Sequence, residues 1–172
     1  MTTLCVIDPS GNFNSGKGKT GISYIVYDDA KNELLWDTLR MDTVSAKNYT
    51  TRHDYWAEIM RKANGANQLI IESFMIRSEG FLVGTMPETI MLIGALTWEL
   101  EKLKIPYIFQ TPSQAKVRFK DEILTRKVPN FTQVGRRFYF NGKQTNDHMR
   151  DSLRHLLYYT YYGIKKNEKP RT

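Results

Sequence analysis

Three β-rich segments follow one another near the start of the chain, and short strand patterns alternate with helical patterns after them. Branched and aromatic residues predict strands over Thr3–Asp8, Ile22–Tyr27 and Glu33–Asp42. The polar connections between these strands favour an antiparallel meander. The later alternation of strands and helices favours parallel pairing, because parallel neighbours need a crossover connection. The order therefore predicts an α/β fold with a mixed sheet covered by helices.

The alternation of predicted strands and helices continues along the rest of the chain up to its basic tail. Gln68–Glu72 is continuously apolar up to its final residue, as expected for a buried central strand, and Tyr107–Gln110 predicts a fifth strand. Apolar residues at spacings of three and four predict helices over Thr50–Asn64, Pro87–Leu103, 112–119, Asp121–Lys127 and Asp147–Tyr162, with a hairpin at Phe138–Lys143. We expect one domain over residues 1–163 and a flexible basic tail over 164–172.

Composition narrows the class of protein without identifying it. The formal net charge of +7 and the pI near 9.4 favour a polyanionic partner such as DNA or RNA, although many basic proteins bind neither. The single cysteine, Cys5, excludes an internal disulfide and a multi-cysteine zinc site. No long apolar run predicts a membrane span, and the N-terminus does not resemble a signal peptide. We therefore expect a cytoplasmic protein.

Two acidic residues end predicted apolar strands. Asp8 closes the first strand and Glu72 closes the fourth. Either carboxylate alone could mark the point where a strand returns to water. If the first and fourth strands are parallel neighbours, however, the two carboxylates converge, and a cation is then needed to offset their repulsion.

The last predicted helix begins with a cluster of polar residues. Asp147 and Asp151 are four residues apart, and His148 and Asp151 are three apart, so both spacings bring side chains to one helical face. A solvated face near a helix N-terminus would explain Asp147, because acids are favoured there. It explains Asp151 less well, since Asp151 lies one full turn further into the helix.

Carboxylates grouped in this way suit magnesium chemistry on phosphodiesters. Mg²⁺ prefers oxygen ligands and keeps several waters, so a few carboxylates suffice. Two such ions about 4 Å apart can activate a water and stabilise the leaving 3′ oxygen. A histidine can replace one acid as a ligand or can position the water. We expect two Mg²⁺ ions in one site, with Mn²⁺ as a possible substitute.

Six short stretches, spread over most of the chain, form an ordered set of motifs. They are VIDPSG at 6–11, TG at 20–21, IIESF at 70–74, IGAL at 93–96, TPSQAK at 111–116 and DHMRDSL at 147–153. In this order they resemble the RuvC family of Holliday junction resolvases, most closely its phage-encoded branch. The resemblance implies an RNase H-like mixed five-stranded sheet flanked by helices. It also implies a homodimer that binds four-way DNA junctions and nicks one strand with each subunit, in the cytoplasm of a bacterial host if the chain is phage-encoded.

The family holds divalent metal at four acidic positions. The resemblance implies Asp8, Glu72 and Asp151 for three of them, with His148 or Asp147 as the fourth. The family spacing of three residues to the last Asp selects His148, and Asp147 would need a shift of one residue. We favour His148 and keep Asp147 as a possible helper.

The resemblance also assigns two residues to the substrate. Phe74 matches the aromatic residue that stacks on a junction base, at a slightly different offset. Lys116 matches a basic residue that meets the scissile phosphate, and an ordinary solvated lysine would explain it equally well.

Basic residues elsewhere are candidates for contact with DNA phosphates. The loop over 11–21 nearly spells a P-loop, but Gly18 replaces the Ser or Thr that would bind Mg²⁺ and a strand follows in place of a helix. We expect instead a flexible loop that touches phosphates. The segment over 136–143 mixes cations with aromatic residues, which suits unpaired bases, a hairpin with an Asn-Gly turn, or both. The predicted DNA-binding cations are Lys17, Lys19, Lys116, Arg118, Arg136, Arg137 and Lys143.

Three functions remain compatible with these residues. The leading hypothesis is a Mg²⁺-dependent, junction-resolving endonuclease. The same site could serve a flap or debranching nuclease or a ribonuclease H. A catalytically silent protein that only binds branched DNA is the alternative from another class, and the intact acidic set argues against it. The apolar Pro87–Leu103 helix fits either a buried core position or a dimer interface.

Overall fold

The structure, a computed structural model, describes residues 1–73 and 86–164. Five strands form its main sheet, with the order β3-β2-β1-β4-β5. They are β1 (Thr2–Asp8), β2 (Lys19–Asp28), β3 (Glu33–Ser45), β4 (Gln68–Glu72) and β5 (Tyr107–Gln110). β2 is antiparallel to β1 and β3, whereas β4 is parallel to β1 and β5. This topology confirms the predicted mixed five-stranded sheet.

Helices cover both faces of this sheet. They are α1 (Arg52–Ala63), α2 (Met86–Leu103), α3 (Pro112–Arg118), α4 (Asp121–Lys127) and α5 (Asp147–Tyr158). Because side chains alternate along a strand, Cys5 and Ile7 of β1 pack on the α1–α2 side, while Leu4 and Val6 pack on the α5 side. The site-bearing strands β1 and β4 are therefore buried on both faces, as their apolar sequences predict.

Two strands run further than their apolar patterns indicate. β2 begins at Lys19, three residues before the predicted start, and β3 continues to Ser45. The extra residues pair with one another, with Lys19 opposite Ser45 and Gly21 opposite Thr43. The end of the predicted loop over 11–21 was therefore wrong: ladder hydrogen bonds hold these polar residues in the sheet although their side chains carry no strand signal.

A second sheet, which sequence reasoning identified only in part, precedes α5. Its strands are β6 (Phe131–Val134), β7 (Arg137–Phe140) and β8 (Lys143–Gln144). The predicted hairpin is its β7–β8 half, with Asn141 and Gly142 at positive φ in the turn. Phe138 and Phe140 pack inward, as the hairpin interpretation of this segment requires. β6 was missed because most of its side chains are exposed and give no alternation.

The final helix continues as a π-helical turn over Tyr159–Gly163, so the chain is helical over the whole predicted range Asp147–Tyr162 and only its last turn is not α-helical. Within the described parts of the chain, no helix is long and apolar enough to span a membrane.

Candidate metal centre

The site forms where β1 and β4 end side by side. Ile7 of β1 pairs with Ile71 of β4 in parallel register, so Asp8 and Glu72 follow at the same sheet edge. Both carboxylates are largely withdrawn from solvent, with Asp8 only 6% exposed. The convergence predicted for these two strand ends is therefore present in the fold.

Helix α5 brings the third acid to this edge. Its first turn lies directly on Gly21 of β2, where a Cβ atom would come within 2.0 Å of the His148 carbonyl oxygen. The N-cap Asn146 accepts a hydrogen bond from the Met149 amide and donates one to Thr43 Oγ1 at 2.8 Å, which fixes where the helix begins. Asp151 follows one turn later and is 9% exposed.

The three acids form a compact set of oxygen donors. One carboxylate oxygen from each of Asp8, Glu72 and Asp151 lies within 4.8 Å of the other two. Among the described residues, these three form the cluster of acidic, histidine or cysteine side chains able to hold a metal ion. Such a spacing is unfavourable for three bare carboxylates and favourable around a divalent cation.

His148 contacts Asp8 directly. Its Nδ1 lies 2.7 Å from Asp8 Oδ2, and the ring is partly exposed. Burial raises the pKa of Asp8 to about 6, with the nearby acids adding to the effect and the His148 hydrogen bond opposing it. The hydrogen bond to Asp8 raises the pKa of His148 above its ordinary value, although burial opposes this shift. His148 therefore lies beside the acidic cluster and holds one oxygen of Asp8.

His155 contacts Glu72 in the same manner, one turn beyond Asp151 on α5. Its Nε2 lies 2.9 Å from Glu72 Oε2, and its Nδ1 lies 2.9 Å from Gln110 Oε1. Burial works to raise the pKa of Glu72, but the hydrogen bond and charge of His155, helped by Lys116, outweigh it and leave the pKa lowered.

Arg154 holds the third acid. Its guanidinium donates to Asp151 Oδ1, to Asp121 Oδ1 at 2.5 Å and to the Phe119 carbonyl at 3.0 Å. Each acid of the cluster thus has one oxygen bound by a side chain of α5.

Lys116 of α3 reaches into the cluster from the side. Its Nζ lies 2.8 Å from Asp151 Oδ2 and 3.3 Å from Glu72 Oε1. Burial opposes its charge, but the carboxylates of Asp151 and Glu72 raise the pKa of Lys116 above its ordinary value. The ammonium therefore offsets the negative charge of the same two oxygens that would face a metal ion. Lys116 is not an ordinary solvated helix lysine.

The other predicted residues lie outside the cluster. Asp147 is exposed, forms an ion pair with Arg150 and is not part of the acidic cluster. Phe74 lies outside the described residues. Lys17 and Lys19 flank the start of β2, Arg118 ends α3 with its guanidinium 4.8 Å from the Tyr162 ring, and all three are exposed. The remaining cations lie exposed on the second sheet: Arg136, Arg137 and Lys143.

Sequence reasoning missed the residues that orient the acids. His155 follows Asp151 by four residues, so helical spacing alone could have placed it on the same face. Gln110 is the β5 partner of Glu72, a pairing that only the sheet register reveals. Arg154 follows Asp151 by three residues, so helical spacing could have indicated this pair as well, whereas its second partner, Asp121, is distant in sequence.

Comparisons with known proteins rest on three-dimensional similarity. No protein-family model and no curated protein sequence matches the chain. Among solved structures, RuvC of T. thermophilus in complex with a Holliday junction substrate superimposes with a TM-score of 0.64 at 15% identity, covering 99% of each chain. A second structure, of Thermus thermophilus RuvC, gives a TM-score of 0.62 at 13% identity, covering 95% of this chain and 96% of that one.

A viral protein has the same architecture. The Fowlpox virus resolvase, in complex with Holliday junction DNA, superimposes with a TM-score of 0.54 at 10% identity over 97% of this chain and 99% of that one. The similarity spans nearly the whole of every chain compared and matches the strand order and helices described above. The chain therefore has a RuvC-like fold with an RNase H-like mixed sheet, as its ordered motifs predict.

Proposed function

We propose that the protein is a Holliday junction resolvase, an endonuclease that nicks four-way or branched DNA with the help of divalent metal. The observation that carries this proposal is the buried cluster of Asp8, Glu72 and Asp151. It lies at the edge of a sheet whose fold is shared with resolvases that were solved with junction DNA.

The donor set fits a hard divalent cation. Three carboxylates offer oxygen ligands, and each keeps one oxygen on the cluster side after the contacts with His148, His155 and Arg154 are counted. Asp8, Glu72 and Asp151 would hold the metal, and His148 would serve beside them as a further ligand or by positioning water. When bound, two Mg²⁺ or Mn²⁺ ions supply Lewis-acid activation of water and stabilise the leaving 3′ oxygen.

The protein's own side chains prepare this site in three ways. Asp8 must give up its proton to act as a ligand, and its raised pKa makes that step dependent on pH. Lys116 must leave the carboxylates of Asp151 and Glu72, and a scissile phosphate is the anion that its ammonium would then meet. Nε2 of His148 can orient the water, because Nδ1 already faces Asp8.

Surface cations would bind the arms of the junction. Exposed cations lie at the start of β2 and on or beside the second sheet, in a chain of net charge +7: Lys17, Lys19, Arg136, Arg137 and Lys143. Neutralising phosphates with such groups releases counterions, so we expect junction affinity to fall steeply with salt. Arg118 is assigned to the same role, and Phe74 to stacking on a junction base.

A homodimer would place two such sites about a two-fold axis, as paired nicks in a two-fold junction require. Helix α2 supports this proposal, because its side chains Met91, Trp98 and Leu103 are 49%, 68% and 56% exposed. Exposed apolar patches mark interaction surfaces, so these residues are our candidates for the dimer interface. Sedimentation should give the mass of two chains, and Trp98→Glu should reduce it to that of one.

We also expect the protein to act in the cytoplasm, of a bacterial host if it is phage-encoded.

The decisive comparison offers the protein three labelled substrates, a four-way junction, a flap and an RNA–DNA hybrid, each with Mg²⁺ and with EDTA. Resolution predicts paired, symmetric nicks in the junction that require Mg²⁺, with little cleavage of the other two. Preferred cleavage of the flap or the hybrid would reassign the site to a debranching nuclease or a ribonuclease H. Tight junction binding without nicks would identify a silent branched-DNA-binding protein.

A further inference from the structure

We infer that His155 is a positioning residue of the metal centre, which, clamped by Gln110, fixes one oxygen of Glu72 so that the other faces the metal. This inference rests on the proposed metal-dependent function and adds to it two residues that do not themselves bind metal. It assigns no direct contact with DNA or with the reacting atoms to either residue.

The first support is the completeness of the contact. His155 is fully buried, and both of its ring nitrogens have partners, Glu72 Oε2 and Gln110 Oε1, each at 2.9 Å. A carboxylate oxygen can only accept, so Nε2 must carry the hydrogen that points to Glu72. The Gln110 amide can present its oxygen or its nitrogen to Nδ1 and therefore satisfies the other side of the ring.

The second support is the position of the three residues in the fold. Gln110 is the strand partner of Glu72 across β4–β5, so their side chains leave the sheet together. His155 meets both from α5, one turn after Asp151. One face of α5 thus carries Asp151, a proposed ligand, and His155, which orients Glu72, a second proposed ligand that lies on β4.

The third support is that packing alone does not explain this histidine. Its neighbours on α5, Leu153, Leu156 and Leu157, are fully buried and apolar. A polar ring at the same depth is unfavourable unless its hydrogen bonds are made, and an apolar side chain would avoid that cost. The hydrogen bond to Glu72 gives the ring a function that an apolar residue could not perform.

The consequence for Glu72 is a defined orientation. With Oε2 held by His155, the carboxylate cannot rotate freely, and Oε1 stays on the side of Asp151 and Lys116. Outer hydrogen bonds of this kind typically change metal affinity by about 10- to 100-fold. We therefore expect loss of the His155 hydrogen bond to weaken metal binding more than it lowers the nicking rate at saturating metal.

The test measures Mn²⁺ binding to the whole protein by the loss of the free-ion electron paramagnetic resonance signal at one fixed pH. His155→Phe keeps a ring without a donor, while His155→Gln places an amide N–H near the position of Nε2. His53→Gln is the matched control, because His53 is exposed on α1. We expect about tenfold or greater weakening for His155→Phe, near wild-type binding for His155→Gln and no change for the control.

Junction nicking at increasing Mn²⁺ separates positioning from catalysis. His155→Phe should need at least about tenfold more Mn²⁺ for half-maximal nicking, and excess Mn²⁺ should recover most of the rate. Unchanged Mn²⁺ binding in folded His155→Phe would overturn the inference. Equal weakening in His155→Phe and His155→Gln would overturn it too, since the hydrogen bond would then not be the cause.

A second variant covers the case in which His155→Phe does not fold. Gln110→Met removes the partner of Nδ1 at nearly constant volume and leaves the imidazole in place. Weaker Mn²⁺ binding would then support the clamp, and unchanged binding would contradict it. Failure of the wild-type protein to bind Mn²⁺ at all would instead reject the proposed metal centre itself, so the two failures are distinguishable.

Discussion

At the scale of single residues, Asp8 is a carboxylate whose charged form is disfavoured by burial. It is 6% exposed, and burial raises its pKa to about 6, mainly because the charged carboxylate loses contact with water. The folded metal-free protein therefore binds a proton at Asp8 over a range in which the unfolded chain has already released it. A cation bound at the proposed metal centre would offset the same cost.

Asp8→Asn should stabilise the metal-free protein near neutral pH. The folded state binds more protons than the unfolded state between about pH 4 and about pH 6, so wild-type stability falls as the pH rises through that window. Asparagine cannot ionise, and its side-chain oxygen can still accept from His148. The gain over wild type should grow through the window and level off above it, at roughly 1–3 kcal/mol.

Urea unfolding in EDTA at several pH values measures this difference. Asp147→Asn is the matched control, because Asp147 is exposed and should show no comparable gain. An Asp8→Asn variant less stable than wild type at neutral pH would show that ionised Asp8 is not a cost to the fold.

The acids of the cluster could be predicted from the sequence, whereas the groups that hold them could not. Asp8 and Glu72 end apolar strands, and Asp151 lies on a polar helix face, so each carries a local pattern. The pairing of Gln110 with Glu72 and the contact of Arg154 with Asp121 join segments that are distant in sequence, and no local pattern encodes them. The contact of Arg154 with Asp151 is a local i,i+3 pair on α5.

At the scale of elements, α5 organises the site. It contributes Asp151 and, through His148, Arg154 and His155, a contact to one oxygen of every acid in the cluster. Its placement depends on Gly21, since β2 and the first turn of α5 are in backbone contact there. Gly21 of the Thr20–Gly21 motif is thus the residue on which the helix docks.

Gly21→Ala should displace α5 and disable the site. A Cβ atom would lie 2.0 Å from the His148 oxygen and 2.7 Å from the Met149 nitrogen, and these backbone atoms cannot rotate away. A displacement on the order of 1 Å would separate Asp151 from Asp8 and Glu72 and should lower the nicking rate by about 100-fold. The free energy of unfolding should fall by roughly 1–3 kcal/mol.

Nicking assays and urea unfolding of the same preparation measure both effects. Retention of wild-type nicking by Gly21→Ala would show that the close contact between β2 and α5 is not needed to assemble the acids.

Elements marked by apolar runs and flanking turn residues could be predicted from the sequence. Elements defined by hydrogen bonding to a partner strand could not. The bounds of β4, β5 and α4 match the sequence expectation, because apolar runs and turn residues mark both ends. The start of β2 and the whole of β6 depend on ladder hydrogen bonds to a partner strand, which act on the backbone and leave little trace in side-chain composition.

At the scale of the whole molecule, the net charge and the acidic cluster have opposite effects on the binding of the proposed DNA substrate. The net charge of +7 favours a polyanion, while the acidic cluster repels one unless cations lie between. Metal ions and Lys116 would reconcile the two by neutralising the cluster locally. We therefore expect junction binding to persist without catalysis, because the proposed binding cations and the proposed catalytic acids are different residues.

The most direct test of the central claim compares wild type with Asp8→Asn on a labelled four-way junction in Mg²⁺, measuring binding and nicking in the same samples. The account predicts paired nicks by wild type that EDTA abolishes, and binding with no detectable nicks by Asp8→Asn. Nicking by Asp8→Asn at the wild-type rate would contradict the assignment of Asp8 and its neighbours as a catalytic metal centre.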